Sequence, residues 1–80
     1  MAQHDIVSPL PGTFYRRASP DAAPFVEAGT QLERGAVVGL VEVMKQFSEV
    51  ESDVSGRVIE VLVEDGEPVD AGQVLMRVGE

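Results

Sequence analysis

The stretch "GLVEVMKQFSEVES", residues 39–52, holds the only lysine of an 80-residue chain. Apolar, β-branched sequence precedes Lys45 and alternating acidic sequence follows it. In "SEVESDV", Val50 and Val54 fall on one face, while Glu49, Glu51 and Asp53 fall on the other. That is the period-two pattern of a half-buried strand. "AVVGLVEV", just before the lysine, reads as a second strand. So little lies between the two that they form a hairpin with Met44 and Lys45 at its centre. Two-residue hairpin turns favour Asn-Gly, Asp-Gly or Gly-Gly, because both central residues commonly need positive φ. Met-Lys breaks that rule at the position of the lone lysine. Local breaks of this kind tend to mark function. An exposed hairpin tip also often carries a lysine merely for solubility, so both readings stand at this point.

Outward from the hairpin, the rest of the chain repeats the same grammar. "DIVS", "GTFYR", "GRVIEVLVE" and "QVLMRV" are further strands between Gly, Pro, Asp and Ser clusters. Apolar residues do not recur at helical spacing over any useful length. The chain also resembles itself. "VEAGTQLERGAVVGLV" (26–41) aligns with "VEDGEPVDAGQVLMRV" (63–78) at an offset of 37, whereas "PGTFY" aligns with "SGRVI" at an offset of 44. The difference, 44 − 37 = 7, places seven extra residues in the first half, within "RRASPDAAPF". Two similar β-halves imply an all-β, pseudo-two-fold domain in which each half covers the other's apolar face. Gly29, Gly35, Gly66 and Gly72 follow polar residues between strands and are expected in turns, at least two of them with positive φ. The second half's counterpart of the lysine turn falls near Gly79, so the chain ends are expected to meet.

Composition narrows the function. A net charge of −8 argues against nucleic acid and anionic membrane as partners. No run of 18 apolar residues is present, and "MAQHDIVSP" lacks a signal-peptide core. With no cysteine, these features suggest the cytoplasm. The whole chain, 1–80, reads as one domain. No Gly cluster opens a helix, so a nucleotide loop has no support. His4 has no ligand partner spaced near it and reads as an idle exposed residue. One of Phe14 and Tyr15 should face the core. Glu42, Glu49 and Glu51 are candidates for an acidic collar around the lysine, or for ordinary outward positions of strands. No catalytic constellation is evident. An alkyl amine is a weak nucleophile at neutral pH. With no His, Cys or second Lys nearby to activate it, Lys45 suits covalent attachment of a prosthetic group better than catalysis.

The residues "VEVMKQF" resemble the attachment motif of biotinyl carrier domains, commonly Glu-Ala-Met-Lys-Met. Glu42, Met44 and Lys45 match; Val43 and Gln46 depart. The related lipoyl domains usually carry Asp before the lysine, so Met44 favours biotin. "SPLPGTFYRRASPDAAPFVEAG" and "SDVSGRVIEVLVEDGEPVDAGQVL" resemble the two halves of the biotin carboxyl carrier family of bacterial acetyl-CoA carboxylase. That family has a protruding thumb loop with a Ser-Pro-Asp sequence, matched here by Ser19, Pro20 and Asp21, in an insertion at about residues 16–25. The resemblance implies a flattened antiparallel β-barrel or sandwich of two four-stranded sheets. It implies biotin on Lys45, joined by a biotin protein ligase. It further implies a non-catalytic carrier that takes a carboxyl group from biotin carboxylase to a carboxyltransferase, which makes malonyl-CoA for fatty acid biosynthesis. A lipoyl-type carrier, a carrier for another biotin-dependent carboxylase, and an unmodified interaction module remain alternatives. About seven residues precede "SPLPGTF", where the family typically has a long Ala/Pro-rich segment. The chain is therefore an excised domain or a compact variant.

Overall fold

A computed structural model describes residues 2–80; Met1, part of the expected 1–80 domain, lies outside the described residues. The strands, in chain order, are β1 (Gln3–Val7), β2 (Gly12–Tyr15), β3 (Gln31–Leu32), β4 (Val37–Val43), β5 (Gln46–Glu51), β6 (Gly56–Val61), β7 (Glu67–Val69) and β8 (Val74–Gly79). The six valine-rich runs account for all but β3 and β7. Those two span only two and three residues, too short for alternation to register. Pro68 sits in β7, tolerated because β7 is an edge strand and a proline there forfeits no interior ladder bond. Two runs stop early. β5 ends at Glu51, leaving Asp53 and Val54 in the following corner, and β6 ends at Val61.

The strands form two antiparallel sheets, β1-β8-β6-β3 and β5-β4-β2-β7. Mapping β1–β4 onto β5–β8 converts one order into the other, which is the symmetry the repeat implied. Each sheet takes two strands from each half. The equivalence extends to single bonds. Gly29 N–H donates to Val58 C=O at 2.8 Å, and Gly66 N–H donates to Phe14 C=O at 2.7 Å. The four turn glycines have φ of 94°, 90°, 83° and 83° at 29, 35, 66 and 72, as their turn positions require. Principal extents of 38 × 27 × 19 Å describe the flattened shape. The chain ends meet: Gln3 pairs with Gly79, and the His4 imidazole contacts the Glu80 carboxylate at the surface.

Among the described residues, thirteen buried apolar side chains fill the space between the sheets, including Ile6, Phe14, Leu32, Val41, Val58, Leu75 and Met76. Each side chain of this kind contributes about 1.5–3 kcal/mol relative to exposure. Phe14, not Tyr15, faces inward. The corners from β1 to β2 and from β5 to β6 are held by two buried serines at equivalent positions. Ser8 Oγ donates to Leu10 C=O at 2.6 Å, and Ser52 Oγ donates to Val54 C=O at 2.5 Å. Their burial is tolerated because these hydroxyls are satisfied.

The symmetry breaks where volumes trade. Phe14 corresponds to Val58 and Gly39 to Met76. The Phe14 ring occupies the space a side chain at 39 would take, so that an added Cβ would overlap Phe14 Cε1 and Cζ. The second half fills the same region with a smaller valine and a longer methionine. Gly39→Ala should therefore destabilise the domain by about 1–3 kcal/mol through overpacking. Adding Phe14→Leu should recover part of that loss, although Tyr15 C=O, 3.0 Å from the same Cβ, stays close. Urea unfolding midpoints of the two variants and the parent measure this.

Candidate functional site

The β4–β5 hairpin positions the lysine. Its ladder runs from Val37↔Glu51 to Val43↔Gln46, which leaves Met44 and Lys45 as the whole turn. Met44 has φ 51° and Lys45 has φ 66°, both in the left-handed region that a turn matching strand twist requires. Each such non-glycine residue costs about 1–3 kcal/mol, which the surrounding ladder must offset. The strain displays both side chains. Met44 is 91% exposed, the most exposed large apolar side chain described, and Lys45 is exposed. Among the described residues no ion pair involves Lys45. An apolar side chain held in water beside an unpaired amine contributes nothing to packing; it offers a feature for a partner to read.

Glu42 is half-buried at the base of the turn. Tyr15 Oη donates to Glu42 Oε1 at 3.2 Å. Phe47 lies opposite Glu42 in the ladder, and its ring sits 6.0 Å from that of Tyr15 at 51°. The Tyr15 phenol is raised above its ordinary pKa, first by the hydrogen bond to Glu42, then by desolvation and the charges of Glu42 and Asp65. It therefore stays protonated and donating through neutral pH. The acidic collar is not formed. Glu49 and Glu51 instead line a groove with Asp5 and Asp53 above Ile6 and Val50, where β1 and β5 approach each other. Alternation along β5 carries their side chains to that seam.

The seven-residue excess forms a loop pinched at its base, where Phe25 N–H donates to Arg16 C=O at 2.8 Å. Arg16 N–H donates to Asp65 Oδ1 at 2.7 Å, and Arg16 Nη2 donates to Val26 C=O at 3.1 Å, so the base is anchored. The turn at Ser19-Pro20-Asp21-Ala22 closes through Ala22 N–H to Ser19 C=O at 3.1 Å. Proline pre-sets φ for the second position of such a turn. The closing bond is thus backbone to backbone and does not use the Asp21 side chain. Arg17, Ala18, Ser19 and Pro20 line a cavity of about 230 Å³ together with Tyr15, Phe47 and Asp65. The loop thus lies beside the hairpin, two residues from Lys45.

The structure brings together Glu42, Met44 and Lys45 on one hairpin, with Ser19 and Pro20 facing its flank. Sequence reasoning missed Phe47 and Asp65. Phe47 carried a signal: it is a large apolar residue at an outward position of β5, 60% exposed. Asp65 carried none, since it comes from a turn of the other half. The described residues contain no cluster able to hold a metal and no helix long and apolar enough to cross a membrane.

A family model described as biotin-requiring enzyme matches residues 4–78. Among curated proteins, the chain is 50% identical over 74 residues to a biotin carboxyl carrier protein of acetyl-CoA carboxylase from a Nostoc species, covering 92% of this chain and 41% of that protein. Proteins of the same description from Pseudomonas aeruginosa and Chlamydia trachomatis are 45% and 47% identical, with 46% and 48% of their lengths covered. The chain therefore spans a little under half the length of each of these three relatives. The fold is similar to part of the urea carboxylase of Kluyveromyces lactis, with a TM-score of 0.79 over 99% of this chain and 6% of that one, at 24% identity.

The turn geometry yields its own test. Replacing Met44-Lys45 by Asn-Gly should relieve the left-handed strain and raise stability by about 1–2 kcal/mol. The denaturant midpoint of the double variant against the parent measures it; an unchanged or lower midpoint would mean that Met44 or Lys45 stabilises the tip in another way.

Proposed function

Because the chain belongs to the biotin-requiring enzyme family, we propose that it is a biotin carboxyl carrier domain of an acetyl-CoA carboxylase, with biotin joined to Lys45. The single observation that carries this reading is the lone lysine, exposed and unpaired at a strained hairpin tip behind Glu42 and Met44. The names of the relatives support the choice of acetyl-CoA carboxylase. The residues fit the group: the amine is open to a ligase, and a cavity lined by Tyr15, Phe47 and Pro20 together with Arg17, Ser19 and Asp65 lies on the flank of the same hairpin. When bound, biotin supplies a ring that accepts and releases a carboxyl group.

What the chain itself does is present and restrain. A biotin protein ligase would deliver the activated acyl group, so Lys45 needs only a free, accessible amine. The ladder below the tip keeps that amine at a defined height above a rigid body. Met44 offers an apolar contact and Glu42 a fixed carboxylate for the ligase to recognise. The domain performs no chemistry. Its work is to raise the effective concentration of the carried group at two separate active sites, of a biotin carboxylase and a carboxyltransferase. The span from Met1 to Glu80 acts as one carrier unit with the loop at about 16–25 as its thumb.

Lys45→Arg should abolish biotinylation by a cognate ligase and leave the thermal midpoint nearly unchanged, as an exposed tip position allows. Intact mass checks the first part, and a wild-type chain that takes up lipoyl or nothing would defeat the proposal. Deleting about seven residues of the thumb, to match the second half, should leave a folded domain while altering carboxyl transfer or the choice of ligase. Turnover, modification and thermal midpoint of the deletion separate these outcomes. A deletion that unfolds would give the loop a structural role instead, and one that behaves as the parent would make it a passive insertion.

A further inference from the structure

Tyr15 lies outside the hairpin that bears Lys45, yet it touches that hairpin twice. Its hydroxyl bonds Glu42 on β4, and its ring packs against Phe47 on β5. Three neighbouring strands are thereby joined across the outer face of one sheet, in the order β2, β4, β5. The register explains the contacts. Tyr15 pairs with Leu40, which makes Glu42 its diagonal neighbour on the same face, and Glu42 is directly opposite Phe47.

The pseudo-symmetry supplies an internal control. The position equivalent to Tyr15 is Ile59, and the position equivalent to Glu42 is Gly79. There the isoleucine side chain lies over the glycine, within 3.1 Å of where a Cβ would be. The barrel therefore builds this corner adequately from an isoleucine and a glycine. The tyrosine, carboxylate and phenylalanine occur only at the corner that displays a lysine; at the equivalent corner Gln3 stands opposite Gly79 where Phe47 stands opposite Glu42, so packing alone does not account for them.

We propose that Tyr15 is a positioning residue for the attachment site, bracing the β4–β5 hairpin through Glu42 and Phe47 so that the Glu42 carboxylate and the Met44-Lys45 tip are presented to the ligase in one geometry. This rests on the reading of Lys45 as the modified residue. A carboxylate free to swing about its side-chain bonds would lose that orientation before every encounter, and the loss would fall on recognition rather than on the chemical step, which the ligase performs. Raising of the Tyr15 phenol by the same carboxylate agrees with the donor remaining in place at neutral pH.

The test is a double-mutant cycle with Tyr15→Phe and Glu42→Ala, using purified biotin protein ligase, biotin and ATP. Tyr15→Phe keeps the ring against Phe47 and removes only the hydroxyl. It should lower kcat/KM for biotinylation by roughly threefold to tenfold, chiefly through KM, as loss of one hydrogen bond at a recognition surface would. In the Glu42→Ala background the same change should have no further effect. Tyr15→Ile, which copies the other half, should fold with a similar thermal midpoint and lose at least as much kcat/KM. Amide exchange at Val43 and Gln46 should quicken in both Tyr15 variants, whether or not a ligase is present. An undiminished loss in the Glu42→Ala background, or unchanged kcat/KM and exchange in Tyr15→Phe, would overturn the brace. A wild-type chain left unmodified would overturn the carrier reading, and the exchange rates would then decide the brace alone.

Discussion

Neither half of this chain can complete a sheet by itself. β3 finds its partner in β6 and β7 finds its partner in β2, so each sheet is closed by a strand from the other half. This interleaving is the constraint on which the rest depends. It buries the apolar face of each half against the other and lets a chain of eighty residues with no cysteine enclose a core. It also brings the chain ends together at Gln3 and Gly79. A connection between β4 and β5 is then the crossing point from one half to the other, and the chain makes that crossing in two residues.

Symmetry of this kind makes departures from it informative. Where both halves need the same thing, they use the same thing: a left-handed glycine at each turn and a buried serine at each corner. The departures gather in one region. Phe14 over Gly39 replaces Val58 beside Met76, a loop of seven extra residues replaces a direct continuation of the strand, and Tyr15 with Glu42 replaces Ile59 with Gly79. All three lie near the hairpin that displays Lys45. The core exchange has a packing reason, since the Phe14 ring takes the space that a side chain at 39 would need. The loop and the polar pair have no counterpart in the half that does without them, and both face the cavity or the hairpin flank.

The tip itself carries a cost that glycine or asparagine would avoid. Met44 and Lys45 hold positive φ without the residue types that favour it. A rigid, strongly paired hairpin can sustain that strain, since relaxing the turn would disrupt a ladder of six pairs. The strain falls at the tip, where on the proposed reading side-chain identity serves a purpose other than folding. The geometry fits that reading: a methionine almost wholly in solvent stands beside an amine that, among the described residues, makes no ion pair.

Much of this was legible in the sequence alone. Alternation in "SEVESDV" and the valine-rich runs determined strands, because a strand half in water must alternate. The offset of 37 determined the two-fold, because repeated side-chain patterns repeat their pairing. The short gap in "VMKQ" determined the hairpin and put Lys45 at its tip. What the sequence left undecided depends on contacts between distant residues. β3 and β7 exist only because strands of the opposite half align them. Ser8 and Ser52 are buried only because corners close over them, and Glu49 and Glu51 share a groove with Asp5 only because β1 of the other sheet comes to lie beside β5. Tyr15 reads locally as the outward partner of Phe14. Only the lateral pairing of β2 with β4, and of β4 with β5, sets its hydroxyl against Glu42 and its ring against Phe47, for a strand's neighbours across a sheet are chosen by the whole topology and not by its own residues.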